Sequence, residues 1–318
     1  MRILFAGSPA IAVPCLEALY HEFDVVGVLT NPDRKRGRGM RMSSTEVKNK
    51  AQELGIPVIQ YEHLYRQSRE DVTALTPELL VSFAYGRIFG QKFLELFPLG
   101  GVNVHPSLLP KFRGCAPIQA AILSGEDHTG ITVQRLALKM DAGDIMGQMR
   151  LDLTGEETTG TLTQRIAAVS PELLVETLRS LEHGENSFVS QDEEEATYCT
   201  FIEKSEAKID WSASADEISR KTRAYYPWPK ASTRYNGKVL MITYALPLQN
   251  DIPGIVADDS LIPGTVVGSS AKYGIVITTG QGLLGVTKLQ LQSKKEMGWE
   301  SFMNGNLGIV GSILGPTE

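Results

Sequence analysis

The sequence predicts an α/β chain in two parts: a doubly wound, Rossmann-like amino-terminal domain with a mostly parallel sheet, then a linker and a small OB-like β-barrel. Three observations carry this. In the first half, short apolar runs alternate with amphipathic segments, the pattern of parallel strands joined by helical crossovers. From Glu182 to Glu206 that period is lost and acidic residues gather at Asp192–Glu195. Beyond it, short β-rich runs are separated by Gly, Pro and Asp. At 318 residues the chain exceeds the roughly 100 to 200 of one ordinary domain. The expected division is a domain over 1–185, a linker over 186–206 and a barrel domain over 207–318.

Taken in order, Arg2–Ala6 reads as a buried strand ending in Gly7-Ser8-Pro9, and Ile11, Cys15, Ala18 and Leu19 then mark one helical face. Asp24–Thr30 is a second strand. Ser43-Ser44-Thr45-Glu46 is a capping box opening a helix, and Pro57–Gln60 a further strand. Leu79–Ala84 and Gly101–His105 add two strands, with a helical turn over Phe93–Phe97 between them. A helix begins at Ala116 and runs to Ser124, and another spans Thr161–Leu181. In the second half Ala215–Ala224 reads as a helix. Val239–Ala245, Gly264–Val267, Tyr273–Thr278 and Leu283–Leu291 read as barrel strands.

Composition excludes several classes. Hydrophobic residues make up 42% and charged residues 21%, and no apolar run approaches the roughly 20 residues of a membrane span. The apolar start behind Arg2 is interrupted by Gly7-Ser8-Pro9 before a signal-peptide core can form, so a cytoplasmic protein is expected. Cys15, Cys115 and Cys199 are scattered without a Cys-x-x-Cys pair, which offers no zinc site. A net charge of −6 argues against nucleic acid bound over the whole surface. One local patch survives that argument: Arg34, Lys35, Arg36, Arg38 and Arg41 fall together, with Gly37 and Gly39 among them. Those glycines suggest a loop that orders on binding.

Gly7-Ser8-Pro9 lies at a strand-to-helix turn, where backbone N–H groups favour an anion; a plain turn fits as well. It is no dinucleotide fingerprint, because Pro9 and Ala12 stand where later glycines belong. Asn103 and His105 are two apart at the end of a predicted strand and so share a face. An amide and an imidazole converging there can steady an oxygen gaining charge and move a proton, although the spacing is equally that of two structural residues.

The residues that follow are more specific. Ser107-Leu108-Leu109-Pro110 and Arg113-Gly114 continue from Asn103-x-His105, and Asp141 lies downstream in Met140-Asp141-Ala142-Gly143-Asp144. This set resembles the folate-dependent formyltransferases. The resemblance implies Asn103, His105 and Asp141 as catalytic groups, with His105 protonated and Asp141 holding it. Asp141 is favoured over Asp144 because its spacing to Gly143 matches the family. It implies folate contacts at Tyr85, Gly86, Ser107, Leu108, Leu109 and Pro110, with 10-formyltetrahydrofolate as co-substrate and no metal. Arg87, Phe89-Gly90 and Leu138-Lys139-Met140 depart from the family pattern.

Further matches cover nearly the whole chain. Pro32-Asp33-Arg34 with Gly37-Arg38-Gly39 resembles an insertion that grips a tRNA acceptor end. Lys208-Ile209-Asp210-Trp211, Arg223–Pro229 and Pro263-Gly264-Thr265 are similar to landmarks of a tRNA-binding barrel. They imply initiator methionyl-tRNA as the acceptor and Arg36, Arg38, Arg41, Lys208 and Arg223 as its contacts; a monomer is expected because no heptad or long exposed apolar helix is evident. The aromatic residues Trp211, Tyr225, Tyr226 and Trp228 fit core positions better than stacking on bases. Two rivals remain at this point: a formyltransferase acting on a small amine, which needs neither the basic loop nor a barrel, and a non-catalytic RNA-binding relative.

Overall fold

The computed structural model describes residues 1–36, 40–248 and 261–315. The chain divides into two compact units, the first comprising Met1–Pro117, His128–Leu153 and Leu162–Thr200. Its elements are β1 (Arg2–Gly7), α1 (Val13–Glu22), β2 (Asp24–Thr30), β3 (Arg34–Arg36), β4 (Arg41–Ser43), α2 (Glu46–Glu53), β5 (Val58–Gln60) and α3 (Arg66–Ala74). There follow β6 (Leu79–Phe83), α4 (Gln91–Leu94), β7 (Gly101–His105), β8 (Arg113–Gly114), β9 (His128–Arg135), β10 (Ile145–Asp152), α6 (Thr159–His183, counted here from Leu162 on) and β11 (Tyr198–Cys199), while α5 (Pro117–Ser124) falls from Ile118 on in the second unit.

The main sheet has the order β10-β9-β7-β6-β1-β2-β5. β5, β2, β1, β6 and β7 are parallel, as the alternating pattern predicts. β9 and β10 add an antiparallel edge that periodicity did not reveal. The strand order reverses beside β1, so a crevice is expected beyond the carboxyl ends of β1, β6 and β7. Apolar residues hold the sheet in place: Leu4, Ala6, Leu29 and Leu80 pack against Tyr85, Phe89, Phe93 and Phe97. These four aromatics are spaced by four residues, with successive ring centroids 5.3, 5.6 and 5.7 Å apart. Phe89, a departure from the family pattern, is thus a core residue.

Two local features differ from expectation. The basic stretch is a two-stranded antiparallel ribbon, β3 against β4, with Arg36 opposite Arg41; Arg38 lies outside the described residues. The segment read as a linker over 186–206 is divided. Up to Thr200 it clusters with the first unit: Val189 bridges Ile145, and β11 runs parallel to β8. A strand pair of two residues leaves no period in the sequence, which is why it reads as irregular.

The second unit comprises Ile118–Asp127, Thr154–Thr161 and the chain from Phe201 onward. It contains α7 (Ala215–Ala224), β12 (Ala231–Tyr235), β13 (Lys238–Leu248), β14 (Val266–Ser270), β15 (Gly274–Thr278), β16 (Leu283–Leu291), β17 (Met297–Gly298) and α8 (Trp299–Asn304). Ser214 and Glu217 form the capping box that starts α7. The antiparallel sheet runs β12-β13-β16-β15-β14. Its two edges are joined by residues 311–315, because Ile313 bridges Thr265 beside β14 and Gly315 bridges Arg234 in β12. This closure makes the expected barrel and leaves neither of those edges bare. Trp211 and Tyr225 are buried, in line with a core role, while Trp228 is 53% exposed. Among the described residues no helix is long and apolar enough to cross a membrane.

Candidate active site

The site forms where β7, the loop after it, β9 and the turn before β10 meet within the first unit. Strand alternation puts Asn103 and His105 on one face of β7. The antiparallel register sets Gln134 opposite Asn103 and Thr132 opposite His105. Gln134 and Thr132 are polar residues, two apart and buried, alternating with Ile131 and Val133. That alternation is the signal that singles out Gln134, a residue absent from the predicted site.

Asp141 reaches this face from a tight turn. It adopts a left-handed backbone conformation (φ 50°), unusual for a residue other than glycine. Its Oδ1 accepts from Gln134 Nε2 at 2.9 Å and from Asn103 Nδ2 at 3.5 Å, and its Oδ2 accepts the Gly114 backbone N–H at 2.9 Å. Two residues on, Gly143 is packed so closely that a Cβ there would lie 1.8 Å from the Arg135 carbonyl oxygen. Asp144, the competing acid, instead accepts from the Ser190 hydroxyl.

His105 is 4% exposed. Its Nε2 lies 2.9 Å from the Phe112 carbonyl oxygen and its Nδ1 lies 3.6 Å from Asp141 Oδ2. A carbonyl only accepts, so the ring proton of neutral His105 sits on Nε2 and Nδ1 presents a lone pair. Burial lowers the imidazole below its ordinary range, against the Asp141 carboxylate and the Phe112 carbonyl, which both favour the charged ring. The resting ring is therefore neutral near pH 7.

The loop after β7 is tied inward. Ser107 is fully buried and donates to the Lys111 carbonyl. The Leu109 N–H donates to Thr132 Oγ1, and its carbonyl accepts from Gln148 Nε2, beside a cis Leu109-Pro110 bond. Leu108 is half-buried against Gly130, where a Cβ would come within 2.4 Å of it. These residues wall the region beside His105 more than they offer side-chain donors to it.

A polar cavity of about 390 Å³ lies at the carboxyl end of β1 and β2, lined by Ser8, Asn31, Arg34, Ser43, Thr45, Gly86 and Arg87. Gly86 belongs to this lining with a left-handed backbone (φ 77°). Tyr85 does not: its ring is in the aromatic core, where burial pushes the phenol up to about 12, and only its carbonyl reaches Asn31 Nδ2, at 2.8 Å. Arg87 pairs with Glu62 at 2.9 Å and bonds Asn31, so this departure from the family pattern serves the cavity wall. In the second unit Lys208 is exposed, whereas Arg223 is half-buried and donates to the Glu157 carbonyl at 3.2 Å.

Comparison with known proteins adds an independent line. Residues 1–178 match the family described as formyl transferase, and residues 201–307 match the formyl transferase C-terminal domain. Methionyl-tRNA formyltransferase of Treponema denticola is 43% identical over 314 residues, covering 96% of this chain and 97% of that one. The Borrelia duttonii enzyme of the same name is 39% identical over 315 residues, covering 99% and 100%. Among solved structures, the sugar 3N-formyl transferase WlaRD has a TM-score of 0.64 at 18% identity, over 93% of this chain and 99% of its own. HypX from Aquifex aeolicus in complex with tetrahydrofolic acid has a TM-score of 0.61 at 19% identity, over 98% of this chain and 48% of its own. These two likenesses speak to the fold.

Proposed function

The chain belongs to the formyl transferase family, and from that premise we propose that it transfers the formyl group of 10-formyltetrahydrofolate to the α-amine of initiator methionyl-tRNA. The observation that carries the reading is the convergence of Asn103, His105 and Asp141 at the carboxyl end of β7, in a chain whose relatives of that name match it over nearly full length.

Each side chain has a part that its surroundings support. Asn103 donates its amide N–H to the formyl oxygen as that oxygen gains charge when the amine attacks. The Asn103 amide is only weakly engaged by Asp141, at 3.5 Å, and keeps a hydrogen to spare. His105, neutral at rest, takes at Nδ1 the proton that the amine gives up. Asp141 then faces the imidazolium it has formed, and the Phe112 carbonyl continues to hold its other nitrogen. The proton returns to the departing N10 as the carbon–nitrogen bond breaks, so formyl moves one way, one hydrogen the other, and charge balances.

The acceptor side rests on the basic ribbon and the barrel. Arg36 and Arg41 are backbone register partners across β3 and β4, and they are assigned with Arg38 to the grip on the acceptor end; Lys208 and Arg223 belong to the barrel unit that receives the same tRNA. Gly86 and the loop Ser107–Pro110 bound the folate side, with Tyr85 contributing through its backbone carbonyl on Asn31. On this reading the protein works as a monomer in the cytoplasm. The test is transfer of labelled formyl from 10-formyltetrahydrofolate to initiator Met-tRNA, set beside glycinamide ribonucleotide and a nucleotide-linked amino sugar. Transfer to the tRNA alone is expected; transfer to a small amine alone overturns the acceptor.

A further inference from the structure

The segment Val189–Cys199 is not needed to connect two domains in the way it is built, because it is bonded to the candidate site along most of its length. At one end Val189 exchanges backbone hydrogen bonds with Ile145 at 2.8 and 3.0 Å. At the other, β11 pairs with β8 and presses on Gly114, where a Cβ would lie 2.0 Å from the Cys199 carbonyl oxygen. Between them, half-buried Gln191 uses both ends of its amide. Its Nε2 donates to the carbonyls of Asp141 and Gly143, at 2.9 and 2.7 Å, and its Oε1 accepts from Arg113 Nε at 3.0 Å. Arg113 is a fully buried cation, fixed further by Glu193 and the Tyr198 hydroxyl, each at 3.0 Å.

We propose that Gln191 is a positioning residue for formyl transfer: it clamps the Asp141–Gly143 turn from behind, so that the Asp141 carboxylate meets His105. Asp141 holds a backbone conformation that costs free energy, and such conformations persist only where neighbours over-determine them. Gln191 supplies that restraint at the carbonyl of Asp141 itself. The same strap fixes Gly114, whose N–H binds Asp141 Oδ2, so the turn is held on the backbone side by Gln191 and on the carboxylate side by Gly114 and Gln134. Gln191 touches no reacting atom; it acts through Asp141.

This inference rests on the formyl-transfer reading. The decisive variant is Gln191→Glu. It keeps the size and the acceptor for Arg113, and even adds an ion pair there, but it removes the N–H groups that hold Asp141 and Gly143. Gln191→Met removes both functions. If Gln191 positions Asp141, both variants lose turnover on the order of ten- to a hundredfold, the size of effect that misplacing a reacting group by about an ångström produces. The Michaelis constants for folate and tRNA change by about twofold or less, since neither substrate is touched. If Gln191 only anchors the strap, Gln191→Glu turns over like the unmodified protein and Gln191→Met alone is impaired, which overturns the proposal. A second measurement needs no activity: titration of His105 followed by nuclear magnetic resonance. The midpoint moves in the uncharged variant Gln191→Met if Asp141 is displaced and stays fixed if it is not. A protein inactive with every acceptor, yet with a moved His105 midpoint in the variant, would sink the formyl-transfer reading and leave the clamp standing.

Discussion

His105 turns Nδ1 toward Asp141 Oδ2 across 3.6 Å, a separation just beyond direct hydrogen bonding. A neutral ring presenting a lone pair to a carboxylate gains nothing from closer approach. Once Nδ1 is protonated, closing that gap forms a charge-assisted bond. The pair is thus arranged for the charge that appears during reaction.

Replacing Asp141 by Asn should therefore lower turnover by on the order of a hundredfold or more, comparable to removing a positioned acid–base partner. Binding of folate, followed by fluorescence, should hold. A variant that keeps near-normal turnover would remove Asp141 from the reaction.

Asn103→Ala removes one donor to the developing oxyanion and should cost on the order of a hundredfold to a thousandfold in turnover, with the Michaelis constants little changed. An effect confined to the Michaelis constant would instead make Asn103 a substrate anchor.

Burial of His105 sets two pH dependences. Because the folded pKa is below the ordinary 6.5, the unfolded chain binds more protons as pH falls past that value. The stability linked to this group is fully present above 6.5 and is lost as pH drops through the folded pKa. Thermal melts across that window should show a loss that His105→Gln abolishes. Turnover should likewise stay level through pH 6.5 and decline only in more acid solution; a rate that rises on acidification would contradict a neutral base.

Gly114→Ala meets two obstacles, a left-handed backbone (φ 117°) and the Cys199 carbonyl 2.0 Å from the new Cβ. Urea unfolding should show destabilisation of about 1–3 kcal/mol from the backbone alone, and turnover should fall with it because the Gly114 N–H binds Asp141. An Ala variant as stable and active as its parent would mean that the strap is loose.

Removing the ribbon charges in Arg36→Ala, Arg38→Ala and Arg41→Ala should raise the Michaelis constant for Met-tRNA and flatten its logarithmic salt dependence by roughly 0.9 for each phosphate no longer neutralised. Folate affinity should not change. An unaltered salt slope would place the tRNA elsewhere.

The sequence was most readable where period and local chemistry coincide. Asp24–Thr30, Gly101–His105 and Ala215–Ala224 are found at the predicted bounds, since each is a buried run or an amphipathic run with a cap. Two further features carry a local signal of the same kind. Asn236-Gly237, both at positive φ, is the hairpin turn joining β12 to β13, and it foretells a strand on either side. Thr132 and Gln134 alternate with Ile131 and Val133, so both polar side chains share the face opposite those apolar ones. Long-range bonding leaves no such signal. Nothing near Gln191 announces that it binds the Asp141 turn fifty residues earlier, and an acidic surrounding with no period looks the same whether it is free or strapped down.

The barrel carries a consequence for how the chain is made. Its opening edge, β12, is met at Ser232 by the earlier Ile209, but its Arg234 is synthesised some eighty residues before Gly315, the residue that pairs with it. During translation Arg234 in β12 and the outer edge of β14 must wait with bare backbone groups, and bare edges recruit neighbouring chains. Vectorial folding can therefore finish the amino-terminal sheet early but not the barrel, whose seam is sewn last. Shortening the protein before residue 311 should yield material that clumps while it is being expressed, even though no strand of the barrel has been deleted.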